Sequence, residues 1–227
     1  MKLAEIFYSI QGEGSLIGIP SVFVRTTGCN LRCAWCDTPY TSWQPEGEEL
    51  AIPEIMERVI SYSASHVVVT GGEPMIAPEI VALTSSLREA GLHITIETAG
   101  TVFHAVACDL MSISPKLANS TPTEREGGRW AAQHERLRYQ PRVLQRLVNE
   151  YQHQLKFVVA EEADLAEIRN IQQEIGALPS NVILMPEGVD RDKLQERGVW
   201  IAEICKREGY RFSPRLHVDL WGARRGV

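Results

Sequence analysis

"HVVVTGGEP" spans His66–Pro74. Three consecutive valines without polar alternation read as a strand covered on both faces, the habit of parallel strands. The apolar run then stops at a threonine, two glycines and a glutamate. To its N-terminal side, "IPEIMERVISYSA" (Ile52–Ala64) places Ile52, Ile55, Met56, Val59 and Ile60 on one helical stripe, with Pro53 suited to a first turn. To its C-terminal side, "PEIVALTSSLREAG" (Pro78–Gly91) reads as a helix closed by Gly91. The same alternation continues outward. "SVFVR" (Ser21–Arg25), "LHITIE" (Leu92–Glu97), "LMSIS" (Leu110–Ser114), "QLKFVV" (Gln154–Val159), "NVILM" (Asn181–Met185) and "YRFSPRLHV" (Tyr210–Val218) read as strands, with helices near 164–174 and 190–208. Parallel neighbours need a crossover, so the expected fold class is α/β with a mostly parallel, curled sheet. The polar stretch from Asn119 to Gln140, with Pro122 and Gly127–Gly128, breaks the rhythm. It reads as an insertion or lid, at about 119–150, within one domain over 1–227.

Bulk composition narrows the classes. The chain has 227 residues, 44% hydrophobic and 23% charged, enough to bury a core as one large domain. A net charge of -6 argues against a broad grip on nucleic acid, and the basic "GARRGV" reads as a solvated tail. The opening "MKLAEIFYSIQGEG" has no apolar signal-peptide core, and nothing approaches the roughly 18 apolar residues of a membrane span. The expectation is a cytoplasmic protein without a membrane or nucleic-acid partner. Five cysteines, an odd number with three bunched, do not read as a disulfide scaffold.

Polar residues collect where the expected strands end: Arg25–Cys36, "TGGEP", "ETAG" (Glu97–Gly100), "SPK" (Ser114–Lys116) and "PEG" (Pro186–Gly188). In parallel α/β folds that edge binds ligands and runs reactions. The first of these segments, "TTGCNLRCAWCD", spaces Cys29, Cys33 and Cys36 as Cys-x3-Cys-x2-Cys. Structural zinc prefers four ligands, and no second Cys-x2-Cys exists; His66 and His93 sit in strands at no motif spacing. A redox pair at Cys33 and Cys36 would leave Cys29 without a role. An iron–sulfur cube held by three thiolates leaves one iron open for chemistry. Iron–sulfur, zinc and redox readings all stay open on spacing alone. Cys108 and Cys205, beside apolar residues, read as small buried hydrophobes.

With Trp35 just before the last cysteine and "GGEP" after the second parallel strand, the chain resembles the radical S-adenosylmethionine enzymes. "SIQGEG" (Ser9–Gly14), "FVRTTGCNLRCAWCDT", "VTGGEP", "SPK" and "LHVDLWGARRGV", in that order, resemble within them the 7-carboxy-7-deazaguanine synthases of queuosine biosynthesis. The resemblance implies a shortened, open (β/α) barrel and a homodimer. It implies conversion of 6-carboxytetrahydropterin to 7-carboxy-7-deazaguanine with loss of ammonia. It also implies one 4Fe-4S cluster, S-adenosylmethionine, Mg2+ and a flavodoxin-like electron donor. On the matching positions, Cys29, Cys33 and Cys36 would hold the cluster and Thr38 the magnesium. Trp35, Asp37, Gly72, Glu73, Glu97, Ser114, Pro115 and Lys116 would contact S-adenosylmethionine, Glu73 at its amino group and Glu97 at its ribose. Ile10, Gln11, Gly12, Glu13, Arg25 and Thr70 would form the substrate set, with Arg25 offering a planar fork of donors to the pterin carboxylate. No catalytic residue is expected beyond these ligands. Two rivals remain: a glycyl-radical activase, which has no use for "SIQGEG", and a metal-binding module without chemistry, which has no use for the strand-end motifs.

Overall fold

The structure, a computed structural model, describes residues 1–227. Its elements run β1 (Lys2–Ile10), β2 (Pro20–Thr26), α1 (Pro39–Ser42), β3 (Glu48–Glu49), α2 (Ile52–Ser61), β4 (His66–Gly71), α3 (Ile80–Glu89), β5 (His93–Thr98) and β6 (Leu110–Ile113). They continue with α4 (Ala131–Arg138), α5 (Pro141–Glu150), β7 (His153–Val159), α6 (Asp164–Ile175), β8 (Val182–Pro186), α7 (Arg191–Glu208), β9 (Arg211–Phe212) and α8 (Leu216–Trp221). One sheet holds all nine strands in the order β3-β1-β2-β4-β5-β6-β7-β8-β9. β1 pairs antiparallel with β2 and β3; every pairing from β2 to β9 is parallel. The end strands β3 and β9 do not meet, so the sheet is open, as the expected partial barrel requires.

Strand side chains alternate between faces, and here the two faces differ in kind. Val67 and Val69, Ile94 and Ile96, Met111 and Ile113, Leu155 and Phe157, and Val182 and Leu184 all belong to one apolar core. Ile55 and Val59 of α2, Leu83 and Leu87 of α3, Leu144 and Leu147 of α5, and Ile168 and Ile171 of α6 share it. The intervening residues Arg25, Thr70, Glu97, Ser112, Lys156 and Met185 line a cavity on the other, concave face. The parallel strands are therefore apolar toward the helices, while toward the concavity they mix polar side chains with Phe23, Val158 and Met185.

Three segments differ from the sequence expectation. β1 was not foreseen as a strand, although Ile6, Phe7, Tyr8 and Ile10 favour one. "YRFSPRLHV" is a strand only at Arg211–Phe212. Pro214 has no ladder donor, the chain turns, and Leu216–Trp221 is helical, with Leu216 N–H donating to Gly12 O (2.9 Å). The 119–150 stretch holds two helices, and α5 is the crossover that packs Leu144 and Leu147 behind β6 and β7. The helix ends follow ordinary rules: Asp190 caps α7 by accepting Lys193 N–H (3.1 Å), and Gly209 closes it at φ 71°.

Phe157, fully buried on the helix side of β7, anchors this core. Phe157→Ala is expected to cost about 3–5 kcal/mol in chemical denaturation at pH 7. A loss below 1 kcal/mol would show that the core does not centre on β7.

Candidate active site

The loop after β2 carries the three thiols along one wall of the cavity. Cys29, Cys33 and Cys36 all line it, and Leu31 packs with Cys33 and Ala99 beneath. The loop is pinned by its backbone: Gly28 N–H donates to Thr41 O (2.8 Å), and Glu73 N–H donates to Gly28 O (3.0 Å). A Cβ on Gly72 would stand 2.2 Å from Gly28 O, so only glycine lets the "GGEP" turn press against the cysteine loop. Trp43 Nε1 donates to Cys33 O (3.0 Å), and Leu31 N–H donates to Cys29 Sγ (3.3 Å). Cys36 Sγ lies 3.2 Å from Ser42 Oγ and 3.9 Å from Thr38 Oγ1.

Burial pushes the Cys29 and Cys33 thiols up to about 12, with Glu73 adding to Cys29 and Lys116 opposing at Cys33. Without a metal's charge these sulfurs stay protonated; thiolates here need a cationic centre beside them. No three His, Cys, Asp or Glu side chains converge as ligands to one ion. The three thiols line one cavity wall at the end of β2, an arrangement that suits a cluster taking one thiolate per iron. The donor set therefore fits an iron–sulfur cluster better than a single zinc.

The facing wall is an ion network. Lys156, whose side chain is 4% exposed on β7, donates to Glu13 Oε2 (2.9 Å) and Glu97 Oε1 (3.1 Å). Arg215 donates from Nε to Glu13 Oε1 (3.1 Å), from Nη1 to Gly188 O (2.6 Å) and from Nη2 to Asp37. Burial alone would raise the Glu13 carboxyl, but Lys156, Arg215 and His217 hold it far below the usual carboxylate range. Burial likewise opposes charge on Lys156 and Arg215, yet their carboxylate partners push both above their ordinary values. Asp37, raised by burial, is brought below its ordinary value by Arg215. Thr70 Oγ1 donates to Glu97 Oε2 (2.9 Å) and Gln11 Nε2 to Glu97 Oε1 (3.3 Å). Arg25 Nε donates to Glu5 Oε1 (2.7 Å), and its guanidinium stacks 5.5 Å from the Phe7 ring centroid.

The cavity has a volume of about 790 Å³. Nearly all residues foreseen from the sequence line it: Ile10, Gln11, Gly12, Glu13, Arg25, the three cysteines, Trp35, Asp37, Thr38, Thr70, Gly72, Glu97, Ser114 and Lys116. Two do not. Pro115 is buried behind Ser114 and Lys116. Glu73 is fully buried, and its carboxylate accepts Met75 N–H (3.0 Å), Thr98 Oγ1 (2.7 Å) and Ala99 N–H (2.7 Å). Three of its acceptor positions are used within the protein, so it braces the loop from behind the cavity wall. Glu97, expected at a ribose, is bonded to Gln11 and Thr70 of the other set. Lys156, Arg215 and His217 were missed. A lysine inside the apolar "LKFVV" was a legible signal for Lys156; nothing local marked Arg215.

The radical SAM superfamily profile matches residues 23–118, from β2 through the "SPK" turn. A 7-carboxy-7-deazaguanine synthase of Halobacterium salinarum is 44% identical over 97% of this chain and 90% of its own length. One of Rhodopirellula baltica is 43% identical over 100% of this chain and 89% of its own. The chain belongs to the 7-carboxy-7-deazaguanine synthase family. Among solved structures, QueE from Escherichia coli superposes with a TM-score of 0.69 at 25% identity, covering 95% of this chain and 94% of that one. Membership in this radical SAM family implies a 4Fe-4S cluster and S-adenosylmethionine, which the thiol wall fits. No helix is long and apolar enough to cross a membrane.

Lys156→Ala would remove the one salt-bridge partner of Glu97 and one of the two cations that hold Glu13, and is expected to cost about 3–5 kcal/mol at pH 7. Glu13's folded pKa is depressed, so its wild-type contribution is present above the ordinary carboxylate pKa, about 4.3, and lost as pH falls. The deficit of the variant should therefore shrink at pH 4, where Glu13, left with Arg215 as its cation, takes up a proton more readily than in wild type. Equal deficits in urea titrations at both pH values would show that charge pairing is not what Lys156 provides.

Proposed function

We propose that this chain converts 6-carboxytetrahydropterin to 7-carboxy-7-deazaguanine with release of ammonia, as a radical S-adenosylmethionine lyase in queuosine biosynthesis. One observation carries this reading. The three thiols and the Gln11, Glu13, Arg25 and Thr70 side chains line the same cavity, in a chain 44% identical to a protein named for that product.

When bound, the cluster and S-adenosylmethionine supply a carbon radical able to take a hydrogen atom from substrate. The chain's own residues do the rest. Cys29, Cys33 and Cys36 hold the cluster. Trp35, Asp37, Gly72, Ser114 and Lys116 border the S-adenosylmethionine side; Lys116 Nζ donates to Ser114 Oγ (2.7 Å) and lies 5.7 Å from the Trp35 ring centroid. Gln11 and Glu13 offer an amide and a carboxylate to the donor–acceptor edge of a pterin, and Ile10 and Gly12 carry them. Glu5 takes only Nε of Arg25, which leaves both terminal nitrogens for a bidentate carboxylate contact. Lys156 and Arg215 keep Glu13 ionised and in place. At Thr38, Mg2+ would find one hydroxyl; the neighbouring Asp37 pairs through Oδ2 with Arg215, and substrate oxygens and water would complete the shell. With the thiols and the substrate set on one concave surface, a radical generated there would stand close to its target hydrogen. The reading also includes a homodimer, reduction by a flavodoxin-like donor, and residues 1–227 acting as one domain.

Two variants test this after anaerobic reconstitution with iron and sulfide. Cys33→Ala is expected to hold no cluster and form no 5′-deoxyadenosine; full iron content would remove the cluster assignment. Arg25→Ala is expected to raise KM for the pterin about 10- to 100-fold, the value of a charge-assisted hydrogen bond. An unchanged KM would remove Arg25 from the substrate set.

A further inference from the structure

We propose that His134 is the positioning residue of the cysteine loop, tying the backbone between Cys29 and Cys33 to the turn after β6 and so setting where the thiols stand. The inference rests on the cluster reading above.

α4 is a polar helix with a single buried residue, and that residue is His134, 1% exposed. A helix docked only for packing would bury an apolar stripe; this one buries an imidazole. His134 Nδ1 receives the N–H of Arg32 (3.1 Å). An amide can only donate, so Nδ1 carries no proton and Nε2 does. Nε2 accordingly donates to Ser120 Oγ (2.9 Å), whose own proton goes to Leu117 O (2.6 Å). Ser120 is fully buried, and each polar side-chain atom of this relay from Arg32 to Leu117 has a partner.

The same segment holds the rest of the loop. Ala34 N–H donates to Ser120 O (2.8 Å), Trp35 Nε1 donates to Asn119 O (3.1 Å), and Arg125 Nη1 donates to Ala34 O (3.1 Å). Arg32, Ala34 and Trp35 are residues that separate the three cysteines. Asn119 is fixed in turn by Nδ2 donating to Asp164 Oδ2 (2.8 Å) of α6. The stretch from Leu117 to Arg138 thus forms a seat between the cysteine loop and the sheet. A ligand-bearing loop braced by buried hydrogen bonds keeps its sulfurs in one geometry whether or not they are ligated.

The two ring nitrogens can be separated by substitution. In His134→Asn the amide oxygen can stand where Nδ1 stands and still accept from Arg32. In His134→Gln the amide nitrogen can reach Ser120, but the Arg32 N–H is left buried and unpaired. Full-length protein would be reconstituted anaerobically, and iron release to a chelator timed alongside the electron paramagnetic resonance spectrum of the reduced cluster. Melting of each apo-protein would be recorded as the measure of folding. We expect His134→Gln to release iron about 10-fold faster than wild type with an altered spectrum. His134→Asn should stay near wild type in both, although each variant loses one hydrogen bond. If the two variants melt and release iron alike, His134 is a packing residue and the proposal fails. Wild-type rates and spectrum in His134→Gln would also overturn it. Wild-type protein that takes up no iron would overturn the cluster reading itself, and this proposal with it.

Discussion

Two buried cations organise the concave face. Lys156 and Arg215 lie out of water, and neither can remain charged there without carboxylate partners. Their partners come from four places: Glu13 in the loop after β1, Asp37 just past Cys36, Glu97 at the end of β5, and the carbonyl of Gly188 after β8. Satisfying two cations therefore pulls four distant segments to one point. The cavity is the space left beside that point, so its shape depends on charge neutralisation as much as on apolar packing.

The sheet makes this affordable. Its helix-facing side chains form a continuous apolar core from β2 to β8, which supplies the burial energy of the fold. The concave side is thereby free to carry threonine, glutamate, serine and lysine at alternate positions. A parallel sheet covered on both faces could not do so. The cysteine loop closes the far side, held by glycine contacts below it and by the Leu117–Arg138 segment around it.

How much of this was legible follows from range. The strand–helix alternation is a local signal and predicted β2, β4, β5, β6, β7 and β8 with α2, α3, α6 and α7, but not α4 and α5 in the 119–150 stretch. The Cys29, Cys33 and Cys36 spacing is likewise local, and so are the strand-end motifs that line the cavity. What pairs across the fold was not legible. Lys156 meets Glu13 across 143 residues and Arg215 meets it across 202; His134 meets Arg32 across 102. Periodicity carries no information at those separations. Glu73 shows the same limit from another side: the motif marks its place at the strand end, but not that its carboxylate accepts from Met75 N–H, Thr98 Oγ1 and Ala99 N–H. In "YRFSPRLHV" the β-like residues were outweighed by one proline.

The most direct measurement is turnover by the whole enzyme. Protein reconstituted anaerobically would receive dithionite, S-adenosylmethionine, Mg2+ and 6-carboxytetrahydropterin, with mass spectrometry of the products. The structure predicts 7-carboxy-7-deazaguanine that disappears when S-adenosylmethionine is withheld. Formation of 5′-deoxyadenosine alone, from protein holding an intact four-iron cluster, would contradict the pterin-binding role assigned to the wall of Gln11, Glu13 and Arg25.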